Sequence, residues 1–359
     1  MEKVTAINLS SSEAFMVTWD IGRRCNFDCT YCESTRHNTY SPPTSFEQLL
    51  ESFDFIQKYV NIYRFKQVNL NFTGGEPTVN PRFWDFVSHI KQNSNFGVGL
   101  TTNGTWHSKH TDFILENFNG VTISWHAEGD IKLRERAINN AIALHKAGLW
   151  VSVNVMLHTD HWEESVKAYE RLQAEGVNAI PTPLGDGTLD RTEWFKDSEG
   201  VWRRTGHEYT PEQYQWFWKN KGISQEKAEL ILSGANLGRS CCGGRCLKGK
   251  TDNVWKPVNH VDNHFKGWSC SVNYYFLHIE EHTRKVFHHQ TCQAKFDGTT
   301  GEIGSLGDIK TLLENTKRYM ENPTTIICPN ERCGCGMCAP KAQSAEVFSR
   351  MWNKSQVVD

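Results

Sequence analysis

From Phe15 to Leu184, short apolar runs rich in β-branched residues alternate with longer stretches in which apolar positions return every turn of a helix. The first pattern has the period of a strand and the second that of an amphipathic helix, and their alternation marks repeated βα units around a parallel sheet. Six strands are predicted, over Phe15–Ile21, Gln67–Phe72, Gly97–Thr102, Val121–Trp125, Trp150–Leu157 and Ala179–Pro183. Helices are predicted between them, over Ser45–Val60, Arg82–Gln92, Ser108–Asn117, Ile131–Ala147 and Trp162–Glu175, the first opening on Ser45 and Gln48 at capping-box spacing. No internal repeat at a fixed period runs through the chain, which argues against a solenoid.

The alternation breaks at Gly185. Residues 185–240 open on the turn-forming Gly185-Asp186-Gly187, carry Trp194, Trp202, Trp216 and Trp218, and end in a helical pattern over Gln225–Leu232; they read as a bridging insertion. Residues 241–340 change again, to glycine-rich turns, cysteines and a hairpin of Tyr274–Ile279 with Val286–Gln290, and read as a smaller, metal-stapled α+β unit. Residues 341–359 read as a surface helix or a loose tail. The expected organisation is therefore an α/β domain over 1–184, the insertion, the cysteine-rich unit and the tail.

Composition narrows the class. A chain of 359 residues with 38% hydrophobic and 22% charged content is an ordinary globular one, neither fibre nor disordered tail. Thirty-nine basic residues interspersed with forty-one acidic ones leave a net charge of -2 and no chain-wide footprint for nucleic acid. No run approaches the roughly 18 apolar residues of a membrane span. Residues 1–12 lack the basic region and apolar core of a secretory signal, so the expected location is cytoplasmic, with no membrane partner.

The twelve cysteines change the picture, because three fall within 25–32 and the other nine lie between 241 and 338. In a reducing compartment, clustered thiols hold metal or do redox work. The first group stands in Arg24-Cys25-Asn26-Phe27-Asp28-Cys29-Thr30-Tyr31-Cys32, a CxxxCxxC loop just after the first strand, where barrel enzymes keep their active sites. Three soft thiolates suit an iron-sulfur cluster with one iron left open to a ligand. A structural zinc would need a fourth ligand, Asp28 or a remote histidine.

With this loop and the segments that follow the next strands, the chain resembles the radical S-adenosylmethionine (radical SAM) enzymes, over roughly its first half and more weakly over its last quarter. Cys25, Cys29 and Cys32 match the family's cluster triad, including the aromatic Tyr31 before the last cysteine. Thr73-Gly74-Gly75-Glu76-Pro77 matches the glycine-rich segment that contacts the amino group of S-adenosylmethionine, where glycines let the backbone approach closely and Glu76 offers a carboxylate to an ammonium group. Thr101-Thr102-Asn103-Gly104 resembles the family's Thr-Asn-Gly turn, and Ser124 and Asn154 stand where relatives touch the ribose or carboxylate. The resemblance implies a partial (β/α)6 TIM-like barrel, a 4Fe-4S cluster chelated by S-adenosylmethionine, and one-electron cleavage to a 5'-deoxyadenosyl radical, with a flavodoxin or ferredoxin as reductant. After the fourth strand this chain departs from the family's usual Asp-Gly with Trp125-His126-Ala127-Glu128, which makes His126 and Glu128 the candidate catalytic residues.

The later cysteines resemble the SPASM or twitch extension, whose cysteines bind one or two auxiliary 4Fe-4S clusters. The best single set is Cys270, Cys292, Cys335 and Cys338. Cys241, Cys242 and Cys246 with Cys328 or Cys333 form a second set, the alternatives being a zinc site with His260 or His264, or a free thiol activated beside Arg245. His288, His289 and Asp297 are candidates for acid, base or ligand, or finish the surface of the hairpin. The resemblance implies an enzyme acting on a peptide or protein side chain, although the N-terminal stretch is too short for an appended leader-recognition domain. The competing readings are a small-molecule dehydrogenase or rearrangement enzyme acting on a sugar, amino sugar or nucleotide, and a non-catalytic iron-sulfur or zinc module.

Overall fold

The computed structural model describes residues 6–9, 14–32, 37–63, 67–184, 194–196, 202–204, 207–221, 247–251, 254–257, 265–270, 272–288, 302–321, 326–328 and 341–344. After β1 (Ala6–Leu9) and β2 (Ala14–Asp20), the chain alternates α1 (Phe46–Tyr63), β3 (Gln67–Thr73), α2 (Phe83–Asn93), β4 (Gly97–Thr102), α3 (Thr111–Asn117), β5 (Gly120–Trp125), α4 (Ile131–Lys146), β6 (Val151–Leu157), α5 (Trp162–Ala174) and β7 (Asn178–Pro183). The six predicted strands and five predicted helices are thus present, with ends shifted by a few residues. Ser45 and Gln48 form the expected capping box, each side chain accepting from the other's backbone N–H at 3.2 Å. The helix predicted from Ser108 begins instead as a 3-10 turn, Ser108–His110, because His107 Nδ1 caps it by accepting from the Lys109 N–H.

The chain divides into two compact units. The first, Trp19–Leu50 with Leu70–Ala235, holds the last residues of β2, the greater part of β3, and β4 to β7, with parallel pairing from β4 to β7. Burial alternates along these strands. Leu70, Phe72, Leu100, Val121, Ile123, Val153 and Val155 are buried, whereas Asn71, Thr73, Thr101, Thr122, Ser124 and Asn154 are half-buried. A parallel sheet covered on both faces would be buried nearly throughout, so among the described residues the helices cover one face. On that face α2 sets Phe83 and Phe86 edge-on against Phe72, at 5.5 and 6.1 Å between ring centres, and Phe86 against Trp19 at 5.3 Å.

The same unit contains a short ribbon, β8 (Trp194–Lys196) with β9 (Trp202–Arg204), and a helix the sequence reading did not anticipate, α6 (Pro211–Asn220). Thr210 and Gln213 cap α6 reciprocally, and Trp216 packs edge-on against Trp162 and Tyr169 of α5. Just before α6, Tyr209 donates its hydroxyl to the Leu157 carbonyl and accepts from the Leu184 N–H, both at 2.7 Å, and so joins the ends of β6 and β7. The predicted helix Gln225–Leu232 lies outside the described residues.

The second unit, Met1–Thr18 with Glu51–Asn69 and Asn236–Asp359, adds β10 (Leu247–Thr251), β11 (Val254–Pro257), β12 (Ser269–Cys270), β13 (Phe276–Glu280), β14 (Lys285–Phe287), β15 (Glu302–Ser305), β16 (Ile326–Ile327) and β17 (Lys341–Ala342). One sheet runs β11-β10-β1-β17-β12-β16, and β13, β14 and β15 pair in the order β15-β14-β13. The predicted hairpin is present as β13 and β14, with His278 opposite Phe287. Its turn places Arg284 at φ 57, where the guanidinium meets buried Glu281 at 2.6 Å, Ser52 at 3.2 Å and Glu51. Lys341 and Ala342, the first residues of the expected tail, are buried and pair with both β1 and β12, and residues 345–359 lie outside the described residues. A two-residue strand carries no periodicity, and its partners are far away in the chain, so no local pattern announces it.

Phe72 is fully buried on the covered face and Asn71 half-buried on the other. Phe72→Ala should therefore cost about 3–5 kcal/mol and Asn71→Ala under about 1 kcal/mol, read as shifts of the urea midpoint. Equal losses would show that both faces are packed.

Candidate active site

The cysteine loop is stitched at both ends. Beyond β2, the Cys25 N–H donates to the Asn38 carbonyl at 2.8 Å and the Asn38 N–H to the Arg23 carbonyl at 2.9 Å, so chain entering and leaving the loop lie side by side. Within it, the Cys32 N–H bonds the Cys29 carbonyl at 3.1 Å. Cys29 is buried, and Cys25 and Cys32 are half-buried. The three thiols feel one another's charge. Among the described residues, no three His, Cys, Asp or Glu side chains converge on a single ion. Asp28, the alternative fourth ligand of a zinc site, faces His37 at 3.6 Å. Burial, and then the Glu76 carboxylate, push the Cys25 thiol up to about 12. Burial, and then Glu128, push Cys29 up as well. Thiols in such surroundings keep their protons at neutral pH unless a metal cation displaces them.

Gly74 and Gly75 bring the end of β3 against the entry to this loop. Gly74 has φ 127, and a Cβ there would meet the Gly22 carbonyl at 2.5 Å and Asp20 Oδ1 at 2.6 Å. A Cβ on Gly75 would collide with the carbonyls of Arg23 and Arg24. The contact is fixed by Gly75 N–H to Gly22 O and Glu76 N–H to Arg24 O, both at 2.8 Å. The close approach that the glycines permit is therefore to the chain's own backbone.

Glu76, fully enclosed, organises what lies beside it. Its Oε1 accepts from Thr78 N at 3.0 Å, Thr78 Oγ1 at 2.6 Å and Thr102 Oγ1 at 2.7 Å, and its Oε2 accepts from Asn103 N at 2.6 Å. Burial raises its pKa against the pull of these bonds. Pro77 begins the short 3-10 turn that Glu76 caps. Asn103 then reaches the cysteine loop, donating to Asn26 Oδ1 at 2.7 Å and lying 4.0 Å from Cys25 Sγ, while Thr105 Oγ1 accepts from Asn26 at 3.0 Å. Ser124 and Asn154 are direct register partners on the half-buried face.

Around Tyr31 the structure gathers a group the sequence only half revealed. The Tyr31 ring lies 5.9 Å from His126, 5.8 Å from His158 and 6.1 Å from His207. Its hydroxyl shares a 2.6 Å hydrogen bond with His126 Nδ1. Burial pushes His126 down to about 4 and pushes Tyr31 up, so both are neutral. Glu128 accepts from Thr30 N and Thr30 Oγ1, each at 2.7 Å, and from His158 Nε2 at 3.0 Å. Burial alone would raise Glu128, but the bonds from His158 and Thr30 hold it at about 2. His158 Nδ1 accepts from Asp160 N, which leaves the proton on Nε2 for Glu128. His207 is fully buried and bonds Thr159 Oγ1 at 2.7 Å. Thr30, His158, Thr159 and His207 were not singled out from the sequence. His158 follows β6 as His126 follows β5, and that shared position was the available signal; His207 lies in the stretch read as a bridge and gave none.

In the second unit Cys270 is buried in β12 and Cys328 follows β16, its N–H bonded to the Trp268 carbonyl at 2.9 Å. The register pairs Cys270 with Ile326, so Cys270 and Cys328, two residues further along, share one face of that ladder. His288 is buried, which pushes it down to about 4; it does not sit on the surface of the hairpin. Cys241, Cys242, Cys246, Cys292, Cys333, Cys335, Cys338, His260, His264, His289 and Asp297 lie outside the described residues.

Residues 19–192, which include the cysteine loop, the Gly74–Glu76 segment and the Tyr31 group up to His158, match the model of the Radical SAM superfamily. Over that span the chain is similar to the Radical SAM superfamily. It is 27% identical over 279 residues to "Mycofactocin maturase MftC" of Mycobacterium tuberculosis, covering 69% of this chain and 66% of the relative, just under two thirds of that protein. It is 27% identical over 179 residues to "Probable GTP 3',8-cyclase" of Saccharolobus solfataricus, covering 46% of this chain and 56% of that one. The solved structure "Native anSMEcpe with bound AdoMet" aligns over 95% of this chain and 96% of its own at 16% identity, with a TM-score of 0.48. Three clustered thiols without a fourth cysteine nearby in sequence are a donor set that suits a 4Fe-4S cluster with one iron left open.

Two outcomes follow. Gly75→Ala drives a methyl into the Arg23 and Arg24 carbonyls, so anaerobically reconstituted variant should bind at most half the iron that Cys25, Cys29 and Cys32 hold in the parent, by colorimetric assay; unchanged iron would mean that the loop does not depend on this contact. His126 and His288 give a pH dependence. Between their ordinary value of 6.5 and about 4 the unfolded chain takes up protons that the folded chain refuses, so stability falls as pH drops through that window. His126→Gln should reduce that slope by up to about 1.4 kcal/mol per pH unit, measured from urea midpoints across the window.

Proposed function

We propose that this chain is a radical SAM enzyme that modifies a side chain of a peptide or protein. The observation that carries the reading is the union of the cysteine loop with the Gly74–Glu76 and Thr102–Asn103 turns, all at the carboxyl ends of neighbouring strands, where active sites of parallel α/β folds lie. Cys25, Cys29 and Cys32 would hold a 4Fe-4S cluster, which supplies one electron to cleave S-adenosylmethionine and so produce the 5'-deoxyadenosyl radical that takes a hydrogen from substrate. The work of the chain is placement and exclusion of water. Gly74 and Gly75 lock the loop entry, Glu76 and Asn103 fix its flank, and Ser124 and Asn154 offer hydrogen bonds to the ribose or carboxylate of S-adenosylmethionine.

The character of the uncovered face supports a peptide. Strands β4 to β7 contain no charged residue, and their half-buried positions Thr101, Thr122, Ser124 and Asn154 present hydroxyls and an amide. Such a surface suits the neutral amides of a peptide and gives a triphosphate no cation. The maturase match also spans more of the chain than the cyclase match, 69% against 46%. The cyclase relative favours a second reading, a small-molecule substrate, and within it a sugar or amino sugar suits a neutral face better than a nucleotide.

The wider reading has residues 1–184 as a partial (β/α)6 barrel and 241–340 as a SPASM- or twitch-like unit in the cytoplasm, reduced by a flavodoxin or ferredoxin. Its one or two auxiliary clusters would draw on Cys270, Cys292, Cys335 and Cys338, and on Cys241, Cys242 and Cys246 with Cys328 or Cys333. The shared face of Cys270 and Cys328 supports drawing ligands from β12 and the end of β16.

The test is 5'-deoxyadenosine formation by reduced, iron-loaded enzyme. Candidate peptides should accelerate it at least tenfold over the substrate-free rate, and the Cys25, Cys29, Cys32 to Ala triple variant should form none. Acceleration by amino sugars alone would move the reading to small molecules, and full iron retention by the triple variant would remove the catalytic reading altogether.

A further inference from the structure

The segment after β5 touches the cysteine loop at three points. Phe27 packs its ring onto Gly129, where a Cβ would come within 2.5 Å of the ring, and lies edge-on to His126 at 6.0 Å. Tyr31 bonds His126, and Thr30 gives both its backbone N–H and its hydroxyl to Glu128. The third contact has unusual chemistry. Thr30 sits between two of the three thiols, and the group holding it is a carboxylate whose side chain is only 16% exposed. Three donors occupy that carboxylate, the third being His158 from the end of β6. Such a group has little capacity left to accept a substrate proton. A neutral amide would have served to hold Thr30. A carboxylate does something more, because its charge reaches the Cys29 sulfur.

We infer that Glu128 is a positioning residue for the cluster: it clamps Thr30 to β5 and β6 and fixes a full negative charge beside the thiolates, making the bound cluster harder to reduce. The physical reason is electrostatic, since adding an electron to an already anionic cluster is opposed by a nearby anion in a poorly hydrated site. His158 holds that anion in place, donating from Nε2 at 3.0 Å while its Nδ1 accepts from the Asp160 N–H. Glu128 is thereby distinct from an acid or base that touches substrate.

This inference rests on the radical SAM reading, and its test separates the two. Full-length parent, Glu128→Gln, Glu128→Asp and the Cys25, Cys29, Cys32 to Ala variant are reconstituted anaerobically, and iron content and the midpoint potential of the cluster absent from the triple variant are measured by redox titration with electron paramagnetic resonance. Glu128→Gln keeps the shape and removes the charge, so its midpoint should move to a more positive value, whereas Glu128→Asp, which keeps the charge, should stay nearer the parent. The charged variant also controls for folding. If Glu128→Gln and the parent titrate alike, the inference fails while the triple variant's loss of iron still upholds the function. If the triple variant keeps all its iron, the function itself fails first.

Discussion

Two peptide units lying against each other hold this site together. The backbone of Gly74–Glu76 rests on that of Gly22–Arg24, with two 2.8 Å hydrogen bonds between them and no room for a side chain. Everything polar nearby takes its position from that contact. Glu76 is delivered into a buried slot where it gathers Thr78, Thr102 and the Asn103 N–H, and Asn103 in turn reaches Asn26 within the cysteine loop. Because a buried carboxylate without partners is costly, these bonds are mutually required, and the loop inherits their rigidity.

The sheet divides its labour by face. One side is sealed by aromatic contacts from α2 onto Trp19 and Phe72, and the other is left half-buried and free of charge from β4 to β7. Charge is concentrated instead at the strand ends, in Glu76 and Glu128, each held by donors from more than one loop. A neutral, partly enclosed surface offers a bound molecule hydrogen bonds without strong ions that would retain water.

The alternating pattern made the βα core legible: from Gly97 to Leu157, β4, β5 and β6 lie within a residue of their predicted ends, because burial of one strand face leaves a period of two in the sequence itself. The three thiols and the Gly-Gly-Glu segment were equally legible as a constellation. Their detailed roles were not. Gly74 and Gly75 read in sequence as a ligand-facing turn, and in the fold they also meet Gly22 and Arg24. His207 comes from more than forty residues beyond the end of β6, and Lys341–Ala342 joins a sheet whose other strands are spread from β1 to β16. Long-range pairing of short elements leaves no local trace, so those parts had to be seen.

The segment from His207 to Lys221 has a consequence for where the catalytic unit ends as a piece of matter. Tyr209 closes the carboxyl edge of the last two parallel strands, α6 spreads its indoles over α5, and His207 fills a fully buried space beside Tyr31. A fragment cut at Leu184 would contain every recognisable motif and still be hollow: two backbone groups would lose their shared phenol, and water would enter the ring-lined space next to the thiols. The smallest excisable form of this unit is set by what plugs it, which reaches Lys221, well past the end of β7.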